Sequence, residues 1–256
     1  MDLRKSLIFI DVTARMTLRA DAAMFILGYL WWILEPLLFV AIFYLVFGFI
    51  LGSPRADFLT FLVVGKLPFQ WFSGGVNTAA SSIVGGQALI AQAHIPKSLL
   101  VLSRVQQSTY KQLAIFALMF VYVLAQGVEV TRYWWWLPII ALIQYLLIAA
   151  ISIIGAVMVC WARDFTKVIQ LFTIAMMFAS GIFWDVRALS PDAQWWILTL
   201  NPLAFLLDAY RQVMLYGSAV DYVHLLTLGV VCSVVLIVVI AWTRRVETWL
   251  AMQVLS

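Results

Sequence analysis

Charge is scarce in this sequence: 11% of its 256 residues are Asp, Glu, Lys or Arg, whereas 65% are hydrophobic. No soluble domain has interior enough to hide that much apolar surface, so a soluble architecture is excluded. Histidine and cysteine are scarcer still, with two of each. His94 and His224 lie far apart, and Cys160 and Cys232 sit in or at the end of apolar runs, without the spacing of a metal knuckle or redox pair. Packing is the expected role of the two thiols. Scattered carboxylates and two distant histidines supply no catalytic or metal constellation, so no catalytic, cofactor-binding or metal residue is assigned. A nucleotide-cradling loop of the form G-x-x-x-x-G-K-[ST] is missing as well: the one Gly-Lys pair, Gly65-Lys66, is followed by Leu67 inside an apolar run.

What the sequence does have is long apolar runs. A helix crossing a bilayer needs about 20 such residues. Candidate spans lie near 28–52, 59–81, 109–127, 137–160, 167–184 and 223–243. The expected fold is therefore all-α, a single polytopic membrane domain over residues 1–256 with six transmembrane helices within 28–243. Arg4, Lys5, Arg15, Arg19, Lys97, Arg104, Lys111, Arg163, Lys167, Arg244 and Arg245 collect on one side, eleven in all, against Arg55, Lys66, Arg132, Arg187 and Arg211 on the other. By the positive-inside rule both ends face the cytoplasm. No small-residue cleavage site follows an early apolar core, so the N-terminus is expected to be retained.

Three segments outside the spans have character of their own. Residues 3–23 carry Arg4, Asp11, Arg15 and Arg19 on one helical face, with Phe9, Val12 and Met16 turned away, a pattern suited to a helix lying in the membrane interface. Ile8 and Leu18 fall near the charged face, which a partner protein can cover. Between the second and third spans, Gly85-Gly86 releases the chain into a short helical piece that ends before Pro96. This elbow, with Gln92, His94 and Lys97, is either a docking surface for a soluble motor or an ordinary solvated loop. Residues 185–222 are expected on the outer face, yet they are too apolar for a watery loop and are broken by Asn201-Pro202. They read as two short helices, near 190–200 and 202–215, dipping back into the outer leaflet, with Asn201 as cap and Pro202 at the first position. Asp208 and Arg211, three apart, are expected to pair there. The segment is a gate over an exit or a passive lid.

Aromatic residues crowd the first span. Trp32, Phe39, Phe43 and Phe47 share one face, and rings of this kind can stack on sugar faces much as they do on bases. They line a channel, together with Phe172 and Phe178 of the fifth span, or they are core and lipid contacts. Glu35 lies inside the same apolar run beside Pro36. A carboxylate there marks a functional site or a structural hydrogen bond to a neighbouring helix.

The stretches LGYLWWILEPLL, VGKLPFQWF and WWILTLNPLAFLLDAYRQVMLYG resemble the membrane subunit of type-2 ABC exporters over nearly the whole chain. Within that group they are most similar to the O-antigen and capsular polysaccharide export permeases, through Gly28, Tyr29, Leu30, Trp31, Glu35 and Pro36, and through Asn201, Pro202 and Arg211. The resemblance implies a homodimer of six-helix subunits, an N-terminal interface helix, coupling helices that meet two ATPase subunits, and re-entrant outer gate helices. ATP and Mg would belong to those partners, with no cofactor in this chain, a glycan or lipid-linked glycan as substrate and no nucleic acid. Lys66 departs from the family, which usually has an uncharged residue before the Pro-Phe corner. Rival readings are a teichoic-acid-type exporter, a drug or lipid exporter of the same superfamily, a secondary transporter, which ordinarily shows internal repeats and more midplane charge, and a membrane glycosyl or acyl transferase.

Overall fold

The computed structural model describes residues 3–24, 26–50, 52, 57–92 and 95–255. Every regular element among them is helical. Helix α1 (Leu3–Ala23) is followed by a 3-10 turn at Gly28–Leu30, α2 (Trp31–Phe43) and a π-helical stretch, Tyr44–Ile50. The chain continues through α3 (Phe58–Ala80), the short α4 (Ser82–Gly85) and α5 (Gln87–Gln92), then α6 (Lys97–Ala125) and α7 (Leu137–Trp161). It ends with α8 (Phe165–Ala179), α9 (Pro191–Leu200), α10 (Pro202–Met214), α11 (Tyr222–Arg245) and α12 (Glu247–Leu255).

Helices α3, α6 and α7 pack on one another at the centre. Leu62 and Val64 of α3, Val105 and Met119 of α6, and Ile140, Ile148 and Ile153 of α7 are fully buried among them. Helices α2, α8, α10 and α11 surround this trio, while α1 lies along α6. Close approach has a visible cause at Gly75, where an added Cβ would stand 2.9 Å from Ile148 Cγ2 and 3.0 Å from Ser108 Oγ.

Length and composition make four helical stretches fit to cross a membrane: Gly28–Val46, Lys97–Ala125, Arg132–Trp161 and Tyr222–Arg245. They match four of the six expected spans. The second expected span, α3, has 23 residues and is long enough, at ~1.5 Å per residue, but more polar. It tolerates that polarity because protein covers it; Phe61, Leu62, Val63, Val64, Lys66 and Leu67 are all buried. The helix at the expected fifth span, 167–184, is shorter than that range: α8 has 15 residues, about 22 Å against the ~30 Å of a hydrocarbon core. Gly181, at φ 72°, turns the chain soon after it ends. The third helix begins at Lys97 rather than near 109, so Arg104 belongs to α6 and not to the preceding elbow.

Pro68 deprives α3 of one backbone donor near its middle. Gln112 of α6 donates to the Leu67 carbonyl at 3.2 Å, and Gln144 of α7 to the Pro68 carbonyl at 2.7 Å. Both glutamines are buried. They are the polar glue between the central helices.

Candidate functional site: a basic and aromatic cavity and a locked turn

Three helical stripes converge on one cavity of about 420 Å³. Helix α2 contributes Trp32, Glu35 and Phe39 at i, i+3 and i+7; α3 contributes Lys66, Gln70 and Asn77; α6 contributes Arg104, Gln107 and Lys111. The sequence pattern thus brings Trp32, Glu35 and Phe39 together as expected. It misses the cations. Arg104 and Lys111 weigh in the sequence only as topological charges and Lys66 as one more and as a departure from the family, although the spacings 66/70/77 and 104/107/111 already place them on polar stripes of helices.

Lys66 is 5% exposed. Its Nζ stands 3.6 Å from the centroid of Phe39 and 5.2 Å from that of Phe69, with Met177 Sδ at 4.0 Å. Among the described residues no carboxylate pairs with it within salt-bridge distance, although Glu35 lies within electrostatic reach across the cavity. Arg104 donates to Gln107 Oε1 at 3.0 Å, and Gln107 donates to Asp21 of α1 at 2.7 Å. Lys111 forms an ion pair with the same Asp21 at 2.9 Å and stands 5.2 Å from the Trp32 ring. Gln70 Oε1, Trp71 Nε1 and Asn77 Oδ1, all on lining residues, are buried without a hydrogen-bond partner. The cavity therefore offers cations and aromatic faces.

A ladder of rings leaves the cavity. Phe39 stacks on Phe43 at 4.4 Å, Phe43 on Phe183 at 4.6 Å, and Phe183 meets Phe178 at 5.6 Å. Phe172 is exposed and does not line the cavity. The side chain of Phe47 lies outside the described residues.

Residues 185–222, expected on the outer face, form the two expected helices with the break at Asn201. Asn201 Oδ1 accepts from the Leu203 and Ala204 amides, both at 3.1 Å, and Pro202 opens α10. Its Nδ2 reaches back to the Ala179 carbonyl and to Ser180 Oγ, at 3.2 Å each. Helix α9 carries the exposed Trp195 and Trp196, whereas α10 is buried from Leu203 to Met214 and packs on α3 and α7. The expected Asp208–Arg211 pair does not form. Asp208 accepts a two-pronged contact from Arg187, at 3.1 and 3.2 Å, and a third hydrogen bond from Gln212 at 2.6 Å. Hydrogen bonding to Asp208 raises the pKa of Arg187 further above its ordinary value. Arg211 turns the other way, to the carbonyls of Gly181 at 2.7 Å and Ile182 at 3.1 Å, with Phe61 of α3 at 3.4 Å. Spacing alone allowed the i,i+3 pair, but Arg211 instead satisfies carbonyls orphaned beyond the end of α8.

Of the elbow residues, Gln92 is exposed at the end of α5 and His94 lies outside the described residues. Lys97 is not on a docking surface: it is 3% exposed and 3.6 Å from Glu247, the first residue of α12. Helix α12 packs against α5, so this contact braces the elbow from behind. Helix α1 is as expected in extent, with Val12 and Met16 facing outward. Its acidic residues point the other way, onto α6: Tyr110 donates to Asp11, and Gln107 and Lys111 hold Asp21.

Residues 107–215 match the ABC-2 type transporter family. O-antigen export system permease protein RfbA of Klebsiella pneumoniae is 27% identical over 212 residues, 82% of each chain. The protein of the same name from Myxococcus xanthus is 28% identical over 82% of this chain and 81% of its own length. Polysialic acid transport protein KpsM of Escherichia coli is 27% identical over 90% of both. The matched stretch runs from within α6 through α7, α8, α9 and α10, and over it the chain resembles the membrane domain of the ABC-2 type transporters.

Proposed function

We propose that the chain is the permease subunit of an ATP-driven exporter that moves polysaccharide or lipid-linked glycan of O-antigen type from cytoplasm to periplasm. It would work as a homodimer of six-span subunits in the bacterial inner membrane, with both termini cytoplasmic and ATP and Mg on two separate ATPase subunits. The observation that carries the reading is that relatives named for O-antigen export run along four fifths of the chain, 82% in the case of RfbA. The cavity supports it, since the rings of Trp32 and Phe39 line it together with polar side chains such as Arg104 and Ser108, among which a hydroxyl-rich ligand can bind. Capsular polysaccharide is the second reading, favoured by the 90% coverage of KpsM.

The mechanism has three parts. Nucleotide-driven closure of the ATPase pair would press on the elbow at α5, which α12 and Lys97 back. The movement would separate α2 and α8, opening a path along the Phe39–Phe43–Phe183 ladder. Binding of ATP would thereby shift a closed-to-open equilibrium. Deleting the gene in its host is expected to remove glycan from the surface and retain it inside, and a tagged chain is expected to bring down an ATPase. Normal surface glycan in the deletion strain overturns the reading.

A further inference from the structure

We infer that the gap between α1, α6 and α11 holds one membrane phospholipid as a structural ligand, with its phosphate on Arg244, Ser98 and the N-terminus of α6 and its acyl chain along α1. The site shares no lining residue with the cavity described above and does not depend on the cargo. Helices α1 and α11 each lie along α6, yet a space of about 710 Å³ stays open between them, lined also by Glu247 of α12. The first observation is Ser98. It is 4% exposed and lines the gap, and its hydroxyl has no hydrogen-bond partner among the described residues. A ligand oxygen in the gap would match that hydroxyl. The same turn opens α6 without a side-chain cap, since Pro96 stands at the cap position and makes no side-chain hydrogen bond. The leading amides of the helix are therefore open to an acceptor, and the helix dipole favours an anionic one.

The second observation is charge. Arg244, in the last turn of α11, lines the gap and forms no ion pair among the described residues. Glu247, the one carboxylate on the lining, already has Lys97 at 3.6 Å. What remains is an uncompensated guanidinium beside a free hydroxyl and a helix N-terminus, which together form the donor set of a phosphate site. The third observation is depth. Helix α6 has 29 residues, about 44 Å against ~30 Å of hydrocarbon, so its first turn reaches the level of the head groups. One turn inward the lining becomes apolar on both helices, as Ser98 gives way to Leu102 on α6 and Arg244 to Ile240 on α11. Leu7 and Ile10 of α1 continue that apolar wall. A soluble phosphate would use the outer half alone, whereas a phospholipid matches both halves.

The test uses the full chain, delipidated in mild detergent, and three probes: dioleoyl phosphatidylglycerol, the phosphate-free dioleoylglycerol, and water-soluble glycerol 1-phosphate. Binding is titrated by native mass spectrometry, with thermal unfolding of every variant as the check on folding. Wild type is expected to bind a first phosphatidylglycerol about tenfold or more tighter than any further one. Arg244→Gln is expected to weaken that first lipid about tenfold or more, the scale of a charge-assisted hydrogen bond, and Ser98→Ala a few-fold, while dioleoylglycerol responds to neither. Ser98→Ala removes an unmatched hydroxyl and should leave the lipid-free protein as stable as wild type, so it carries the test even if Arg244→Gln folds poorly. Arg245→Gln, next in sequence but off the lining, should bind as wild type does. No tight lipid on wild type, undiminished binding in both Arg244→Gln and Ser98→Ala, or an equal loss in Arg245→Gln overturns the site. Glycerol 1-phosphate binding as tightly as phosphatidylglycerol overturns the lipid part and makes a soluble phosphate ester the ligand.

Discussion

The guanidinium of Arg211 occupies the space that a side chain at position 65 would need: a Cβ built on Gly65 stands 2.1 Å from Arg211 Nη2 and 2.9 Å from Cζ. The absent side chain lets α10 pack on α3 with its arginine lying over the Phe61 ring at 3.5 Å. Gly65→Ala should therefore drive Arg211 off the Gly181 and Ile182 carbonyls. Leaving buried polar groups unmatched is expected to lower stability by about 2 kcal/mol or more. Thermal unfolding in detergent checks this, and an Ala variant as stable as wild type would show that Arg211 has another place to go.

The Arg187–Asp208 contact is lopsided, with the arginine side chain 43% exposed and the aspartate 3%. Removing either partner is thus not equivalent. Arg187→Met strands a buried carboxylate, whereas Asp208→Asn leaves an arginine that water can reach. We expect Arg187→Met to be the more destabilising, by roughly 1–2 kcal/mol after allowing for solvent screening. The double variant should recover part of the loss. Equal melting temperatures for the two single variants would refute the asymmetry.

Acid should loosen α1. The Tyr110 hydrogen bond holds the Asp11 carboxyl below its ordinary value of 3.8, with Arg15 adding to it against partial desolvation. A carboxyl whose pKa is depressed by folding stabilises the folded state above its unfolded value, and that stabilisation is lost as pH falls through the folded one. Amide hydrogen exchange in α1 is expected to speed up below about pH 4, and Tyr110→Phe should blunt the change. Exchange that responds to acid equally in both proteins would assign the effect to other groups.

Coupling can be separated from bracing at the elbow. Gln92, exposed on α5, is expected to matter for stimulated ATP hydrolysis in the complex and not for folding. Lys97, buried against Glu247, is expected to matter for both, because Lys97→Ala strands the Glu247 carboxylate and frees α12. Limited proteolysis of α12 distinguishes them: Gln92→Ala should leave it protected. Protection in the Lys97→Ala protein as well would remove the brace.

Orientation is open to a direct measurement. Cys160 and Cys232 are both buried, so introduced cysteines can be read over a quiet background. A thiol at Ser6 should resist a membrane-impermeant reagent in spheroplasts, and one at Ala193 should react. Labelling at Ser6 from outside would contradict the arrangement proposed above.

Local signals made much of this legible. Apolar length gave the long helices, and the Asn201-Pro202 pair gave the break between α9 and α10 because a cap and a proline act within one turn. Choices between partners were not legible. Asp208 pairs with Arg187, 21 residues away in sequence, rather than with Arg211 three residues on, because a reversal of the chain brings Arg187 alongside. The cavity was half visible: the α2 stripe announced itself through Glu35 in an apolar run. Lys66, Arg104 and Lys111 did not, since a count of charges by side of the membrane treats a cation inside a helix as one beside it.

The glutamine contacts to α3 impose an order on how the chain is made. The Leu67 and Pro68 carbonyls receive their side-chain donors from residues 45 and 76 positions further along. While α3 is being synthesised neither Gln112 nor Gln144 exists, and Lys66, Gln70 and Asn77 have no protein around them to stand in for water. A helix with that polar load has little reason to settle alone in hydrocarbon. Its final seat becomes available when α6 and α7 have followed, so the central helix of the finished bundle is a late one in its assembly.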